Sequence, residues 1–173
     1  MTKSLTRKEM REHIFKLLFQ IEFVPVEGID EQVTLYIGDL ANIRSKDRQY
    51  IHDKCLAIAA RIEELDTLLN ERTTGWRTNR MNKVDLTILR LAVYEIKYDD
   101  DIPQGVAINE AVELAKVYSS DEGPAFVNGV LARIVTSAKS GSTASKSTES
   151  KSEGTEPELA DMTVAANNEE VGE

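Results

Sequence analysis

The sequence predicts an all-α fold of about six helices in two groups of three, and three observations carry that prediction. Apolar residues recur at helical spacing through most of the first 138 residues. Strand-like alternation is scarce, and the chain of 173 residues holds only four prolines. Helix-start signals stand ahead of the periodic runs, and prolines, glycines or acidic turns follow them.

The first segment runs from about Thr6 to Phe23. Thr6 and Glu9 have capping-box spacing. Ile14, Leu17, Leu18 and Ile21 then fall on one face, with Phe15, Phe19 and Phe23 in a second stripe. Pro25 and Gly28 end the segment. A short second segment, about Asp30 to Ala41, carries Val33, Ile37 and Leu40. The third, about Lys46 to Glu71, keeps Ile51, Cys55, Ile58, Ile62, Leu65 and Leu69 in register as one long helix. Around Thr73 to Thr78 the chain turns between the two groups, and Trp76 beside Gly75 reads as a packing residue between them.

Asn82 signals the start of the fourth segment, whose apolar positions are Leu86, Leu89, Val93 and Ile96. The stretch from Asp99 to Pro103 breaks it. The fifth covers about Gln104 to Ser119 with Val106, Val112, Leu114 and Val117. The sixth covers about Gly123 to Ala138 with Phe126, Val127, Val130, Leu131 and Ile134.

Residues 139–173 are different. They are rich in Ser, Thr, Glu and Lys, with too little apolar surface to offset the entropy of ordering, and read as a disordered acidic tail on a 1–138 helical domain. Their eight acids and three lysines carry −5 of the net charge of −9, which leaves −4 on the first 138 residues. An acidic domain binds nucleic acid only where its basic residues cluster, so local charge decides.

Several function classes drop out. No apolar run reaches the roughly 20 residues of a membrane helix, and the first twelve residues lack a signal-peptide core, so the chain reads as soluble and cytoplasmic. Cys55, the only cysteine, sits in an apolar run and reads as a buried hydrophobe. His13 and His52 have no metal-ligand spacing. There is no phosphate-binding glycine loop and no nucleophile–base set, and the paired acids Glu63–Glu64 and Asp99 to Asp101 read as solvated faces. The expectation is a protein that is not an enzyme and uses no cofactor or metal.

The basic residues invite two readings. Arg7, Lys8 and Arg11 crowd the first turns of a helix, with Lys3 just before, where cations oppose the macrodipole. Arg7 and Arg11 share a face at i, i+4. A polyanionic ligand explains this placement, and so does a solvated face balanced by Glu9 and Glu12. Tyr118 and Phe126 flank the loop after the fifth segment and are either base-stacking platforms or core residues. Arg90, between Leu89 and Leu91, is either an ion-pair partner at the core edge or a phosphate ligand.

Four stretches then match one family. Asp85 to Glu95 (DLTILRLAVYE), Val106 to Lys116 (VAINEAVELAK) and Phe126 to Leu131 (FVNGVL) resemble the fourth-, fifth- and sixth-helix signatures of the NusB transcription antitermination family. Arg7 to Glu12 (RKEMRE), followed by Leu17 to Gln20 (LLFQ), is similar to its arginine-rich first helix. The resemblance covers about residues 5–136. It implies two three-helix halves, and binding to boxA RNA jointly with NusE, a small-subunit ribosomal protein, within an RNA polymerase antitermination complex acting chiefly on ribosomal RNA.

By motif position the resemblance implies an RNA surface of Arg7, Lys8, Arg11, Arg90, Tyr118, Glu122 and Phe126, and a NusE surface that includes Phe19 and Asp85. Glu9 interrupts the family's arginine run, and the acidic tail lies outside its pattern. Some family members pair through the surfaces that would meet RNA, which leaves a homodimer open. Two other readings stand beside this one. One is a structural or dimerising helical protein without RNA binding. The other is a helical domain related to those of RNA cytosine methyltransferases, which would need a large α/β domain after it.

Overall fold

The computed structural model describes residues 2–73, 75 and 77–141, with side chains to 136; the expectations for Trp76 and for residues 142–173 of the tail lie outside them. Among the described residues seven α-helices follow one another: α1 (Arg7–Ile21), α2 (Ile29–Asp39), α3 (Ser45–Ala59), α4 (Ile62–Arg72), α5 (Lys83–Tyr98), α6 (Gln104–Tyr118) and α7 (Gly123–Gly141). The all-α expectation holds. Among the described residues the one departure from helix and loop is an isolated parallel bridge between Lys3 and Ile43.

Local signals set the helix starts. The Thr6 hydroxyl accepts from the Glu9 N–H, and the Glu9 carboxylate accepts from the Thr6 N–H at 2.8 Å, so the capping box forms as its spacing predicts. Asn82 caps α5 by accepting from the Val84 N–H at 2.9 Å. Pro103 stands at the start of α6, where a missing N–H costs nothing.

The long third segment is two helices. The chain turns at Ala60–Arg61, although helix formers run through this stretch without proline or glycine. The turn serves packing. Ile51, Cys55 and Ile58 of α3 face α1, α2 and α5, whereas Leu65 and Leu69 of α4 face α5 and α7. A straight helix could not bury both sets. α4 thus joins the C-terminal group, and the crossing between groups falls before the Thr73–Thr78 turn rather than in it.

α5 is the axis of the molecule. Leu86, Ile88, Leu89, Leu91, Ala92 and Val93 are all buried, and the helix packs against α1, α3, α4, α6 and α7. A helix apolar nearly all round must be surrounded. Truncating Leu89, which has no exposed surface, would cost about 2–5 kcal/mol. Cys55 is buried beside this core, and burial pushes its thiol up to about 12, so it packs as a hydrophobe.

Candidate nucleic-acid interface

The capping box fixes the first turn of α1 and with it the two exposed cations there. Arg7 and Lys8 make no salt bridge among the described residues. They point to different sides of α1. Lys8 lines a groove against α6 with Arg11, Glu12, Glu113 and Tyr118, whereas Arg7 lines a cleft on the α3 side.

Arg11 also lines the Lys8 groove, but its guanidinium is turned away from solvent. It is 7% exposed and reaches inward. Its Nε lies 3.0 Å from Glu95 Oε2, and its Nη1 lies 3.3 Å from Glu110 Oε2. Lys54 approaches the same Glu95 at 2.9 Å and Asp99 at 2.9 Å. Burial pulls the Lys54 ammonium down, but the charge of Glu95 and hydrogen bonds to Asp99 and Glu95 outweigh it, so the group titrates above its ordinary value. This network ties α1, α3, α5 and α6 together. Arg7 and Arg11 share helical spacing yet divide at the surface, because the inner residue has found Glu95.

Arg90 is committed likewise. Its Nε and Nη2 form a two-pronged pair with Asp66 at 2.7 Å each, and Nη1 donates to Glu22 at 2.5 Å. At 8% exposure it clamps α5 to α4 and α1. Of the two readings open for Arg90, the ion pair is the one seen.

Tyr118 closes α6 and leans on α1. Its ring packs on Phe15 at 4.9 Å, its hydroxyl donates to Glu12, and Lys16 Nζ lies 5.8 Å from the ring centroid. The ring is partly exposed. Lys16 was missed in the sequence because it interrupts an apolar run and reads as the polar face of α1; its pairing with Glu12 at 2.8 Å puts it beside Tyr118. Hydrogen bonds from Lys16 and Tyr118 hold the Glu12 carboxyl below its ordinary range. The other acids of this groove are engaged too, Glu110 by Arg11 and Glu113 by Lys116 at 2.6 Å. The partly exposed Tyr118 ring thus lies beside Lys16 and shares its groove with Lys8.

The turn from α6 to α7 carries the remaining residues. Asp85, at the start of α5, is buried and accepts from the Ser119 hydroxyl at 2.5 Å. Gly123 closes over this pair: a Cβ there would run into the Ser119 side chain and approach Asp85 Oδ1 to 3.2 Å. This pins the turn that presents Glu122, which is exposed, and Phe126, which is half-buried against the core. At the far end of α1, Phe19 meets Phe23 edge-on at 5.3 Å, and Phe23 is 66% exposed.

Among the described residues no group of three His, Cys, Asp or Glu could hold a metal, and no helix is long and apolar enough to cross a membrane.

Comparisons with known proteins bear on this arrangement. A transcription antitermination protein NusB of Agathobacter rectalis is 57% identical over 129 residues, which span 75% of this chain and 98% of the relative. Relatives that are covered almost end to end carry the name transcription antitermination protein NusB, which favours that reading over the methyltransferase one. The solved structure of T. maritima NusB superposes with a TM-score of 0.71 at 33% identity, covering 78% of this chain and 93% of that one. A complex of antitermination factors NusB and NusE with dsRNA contains the same fold, with a TM-score of 0.67 at 24% identity over 76% of this chain and 96% of that one. The NusB family model matches residues 8–136, and the chain belongs to the NusB family.

Proposed function

We propose that this chain binds boxA-type RNA jointly with NusE and acts in the cytoplasm within the RNA polymerase antitermination complex that sustains ribosomal RNA transcription. The observation that carries the RNA half is the partly exposed Tyr118 ring flanked by Lys8 and Lys16, in a groove whose acids are already paired. Aromatic faces stack on unpaired bases, and lysines take the phosphates beside them. Arg7 extends this surface, and Glu122 and Phe126 border it. Arg11 and Arg90 act one layer below as positioning residues, since their guanidiniums are occupied by Glu95, Glu110, Asp66 and Glu22.

The NusE half rests on the other end of α1. Phe19 and the exposed Phe23 form an apolar patch there, about 16 Å along the helix from Lys8 at 1.5 Å per residue. Asp85 supports the adjoining turn through Ser119. A solved relative in fold was crystallised with NusE and dsRNA, which supports the pairing of the two partners.

A gel shift with boxA-type RNA, with and without NusE, tests this reading. The expected result is a shift that NusE strengthens and salt weakens. Absence of binding even with NusE at low salt would favour a structural or dimerising protein instead.

A further inference from the structure

The N-terminal arm and α3 build a second basic surface. Lys3 pairs with Ile43 through the backbone, and the Leu5 N–H donates to the buried Asp47 carboxylate at 2.8 Å. These contacts fix the start of α1 against the start of α3. They leave a cleft of about 350 Å³ whose rim carries Arg7, Arg44 and Lys46, with Tyr50 at its edge. All three cations are exposed and make no salt bridge among the described residues. Tyr50 is 41% exposed. Of the three acids lining the cleft, Asp47 is held by Leu5 and Asp99 by Lys54, which leaves Asp101 as the one without a hydrogen bond or salt bridge among the described residues.

We propose that this cleft is a second RNA track, which takes the phosphates of single-stranded RNA continuing from the Tyr118 groove. The proposal rests on the RNA-binding reading above. Arg7 and Lys8 are neighbours on α1 but line opposite sides of it, so a strand touching both passes over the first turn of the helix and meets Arg44 and Lys46 next. Three cations without carboxylate partners beside an exposed aromatic ring are the elements that hold a single strand without reading its sequence.

The test compares two RNAs on the full chain with NusE present: a boxA-type core, and the same core extended at either end by about six uridines, a length within one single-strand binding site. The wild-type chain should bind one extended RNA about five-fold more tightly than the core, and Arg44→Gln with Lys46→Gln should abolish that gain and lower the salt slope by about 1.4. Core binding should stay within about twofold, because neither residue touches the Tyr118 groove. A 4-thiouridine in the extension should crosslink to the peptide spanning 44–50. If neither extension adds affinity, if the double variant weakens core and extended RNA alike, or if the crosslink falls elsewhere, the second track is wrong while RNA binding stands. If the double variant weakens only NusE binding, the cleft is a protein contact and the proposal falls. Failure of the wild-type chain to bind the core overturns the RNA reading and this proposal together.

Discussion

Arg11 and Glu95, 84 residues apart in sequence, meet in the interior of the protein at 3.0 Å, and Lys54 closes on the same carboxylate from the other side. Taking one member from such a network leaves an uncompensated buried charge, which costs about 3–5 kcal/mol. Arg11→Ala should therefore lower the melting temperature by roughly 10 °C or more, whereas Arg7→Ala, at an exposed position, should move it by no more than about 2 °C. RNA affinity should respond in the opposite order when folded protein is compared at low temperature. Thermal melts alongside filter binding check this. An Arg11→Ala variant with an unchanged melt and weakened RNA binding would return Arg11 to the surface.

Gly123 makes a second prediction. A methyl group there meets Ser119 where that side chain donates to Asp85. Gly123→Ala should destabilise by about 1–3 kcal/mol through overpacking. Ser119→Gly clears both the hydroxyl and the Cβ, so the double variant should lose less than the two single losses combined. A double-mutant cycle by urea denaturation measures the coupling, and strict additivity would mean that the turn simply moves aside.

Much of this was legible in the sequence, for local reasons. The Thr6–Glu9 box, the Asn82 cap and the apolar wrap of α5 depend on residues within a turn or two of each other. The break at Ala60–Arg61 did not show, because nothing local disfavours helix there; burial of Leu65 and Leu69 against α5 and α7 dictates it. The site divided in the same way. The i, i+4 spacing put Arg7 and Arg11 on one face, but Arg7 stays exposed while Arg11, like Arg90, goes to partners that no spacing rule connects to it. Lys16 escaped notice because its role depends on Tyr118, which arrives from α6.

Acid should lower the stability of the protein over two pH ranges. Burial, with the charge of Lys16 beside it, holds the His13 imidazole below its ordinary 6.5. A base whose folded pKa is depressed is neutral in the fold but charges once unfolded, so stability falls as pH drops below 6.5. The second step belongs to carboxylates. Burial raises Glu22, but Lys83 and Arg90 outweigh it and hold the group below 4.5. Lys3, with the Thr6 backbone, holds Glu9 at about 2. Their contribution is intact above 4.5 and is lost as pH falls through the lower folded values. In denaturation midpoints measured against pH, His13→Gln should flatten the upper step and Glu22→Gln part of the lower one. A profile that neither variant changes would refute both assignments.

Tyr118 separates stacking from hydrogen bonding. Its hydroxyl donates to Glu12, while its partly exposed ring is the group that the proposed function assigns to a base. Tyr118→Phe removes only the hydroxyl. It should raise the Glu12 pKa towards the ordinary carboxylate value, because one of the two hydrogen bonds depressing it is gone, and leave RNA affinity within about twofold. Tyr118→Ala removes the ring and should weaken binding by about 5- to 150-fold, the equivalent of one base stack at roughly 1–3 kcal/mol. Because the ring also packs on Phe15, the alanine variant must be shown folded by circular dichroism before its affinity is read. Equal losses for Phe and Ala would mean that RNA meets the hydroxyl rather than the ring, and the groove would then bind through hydrogen bonding instead of stacking.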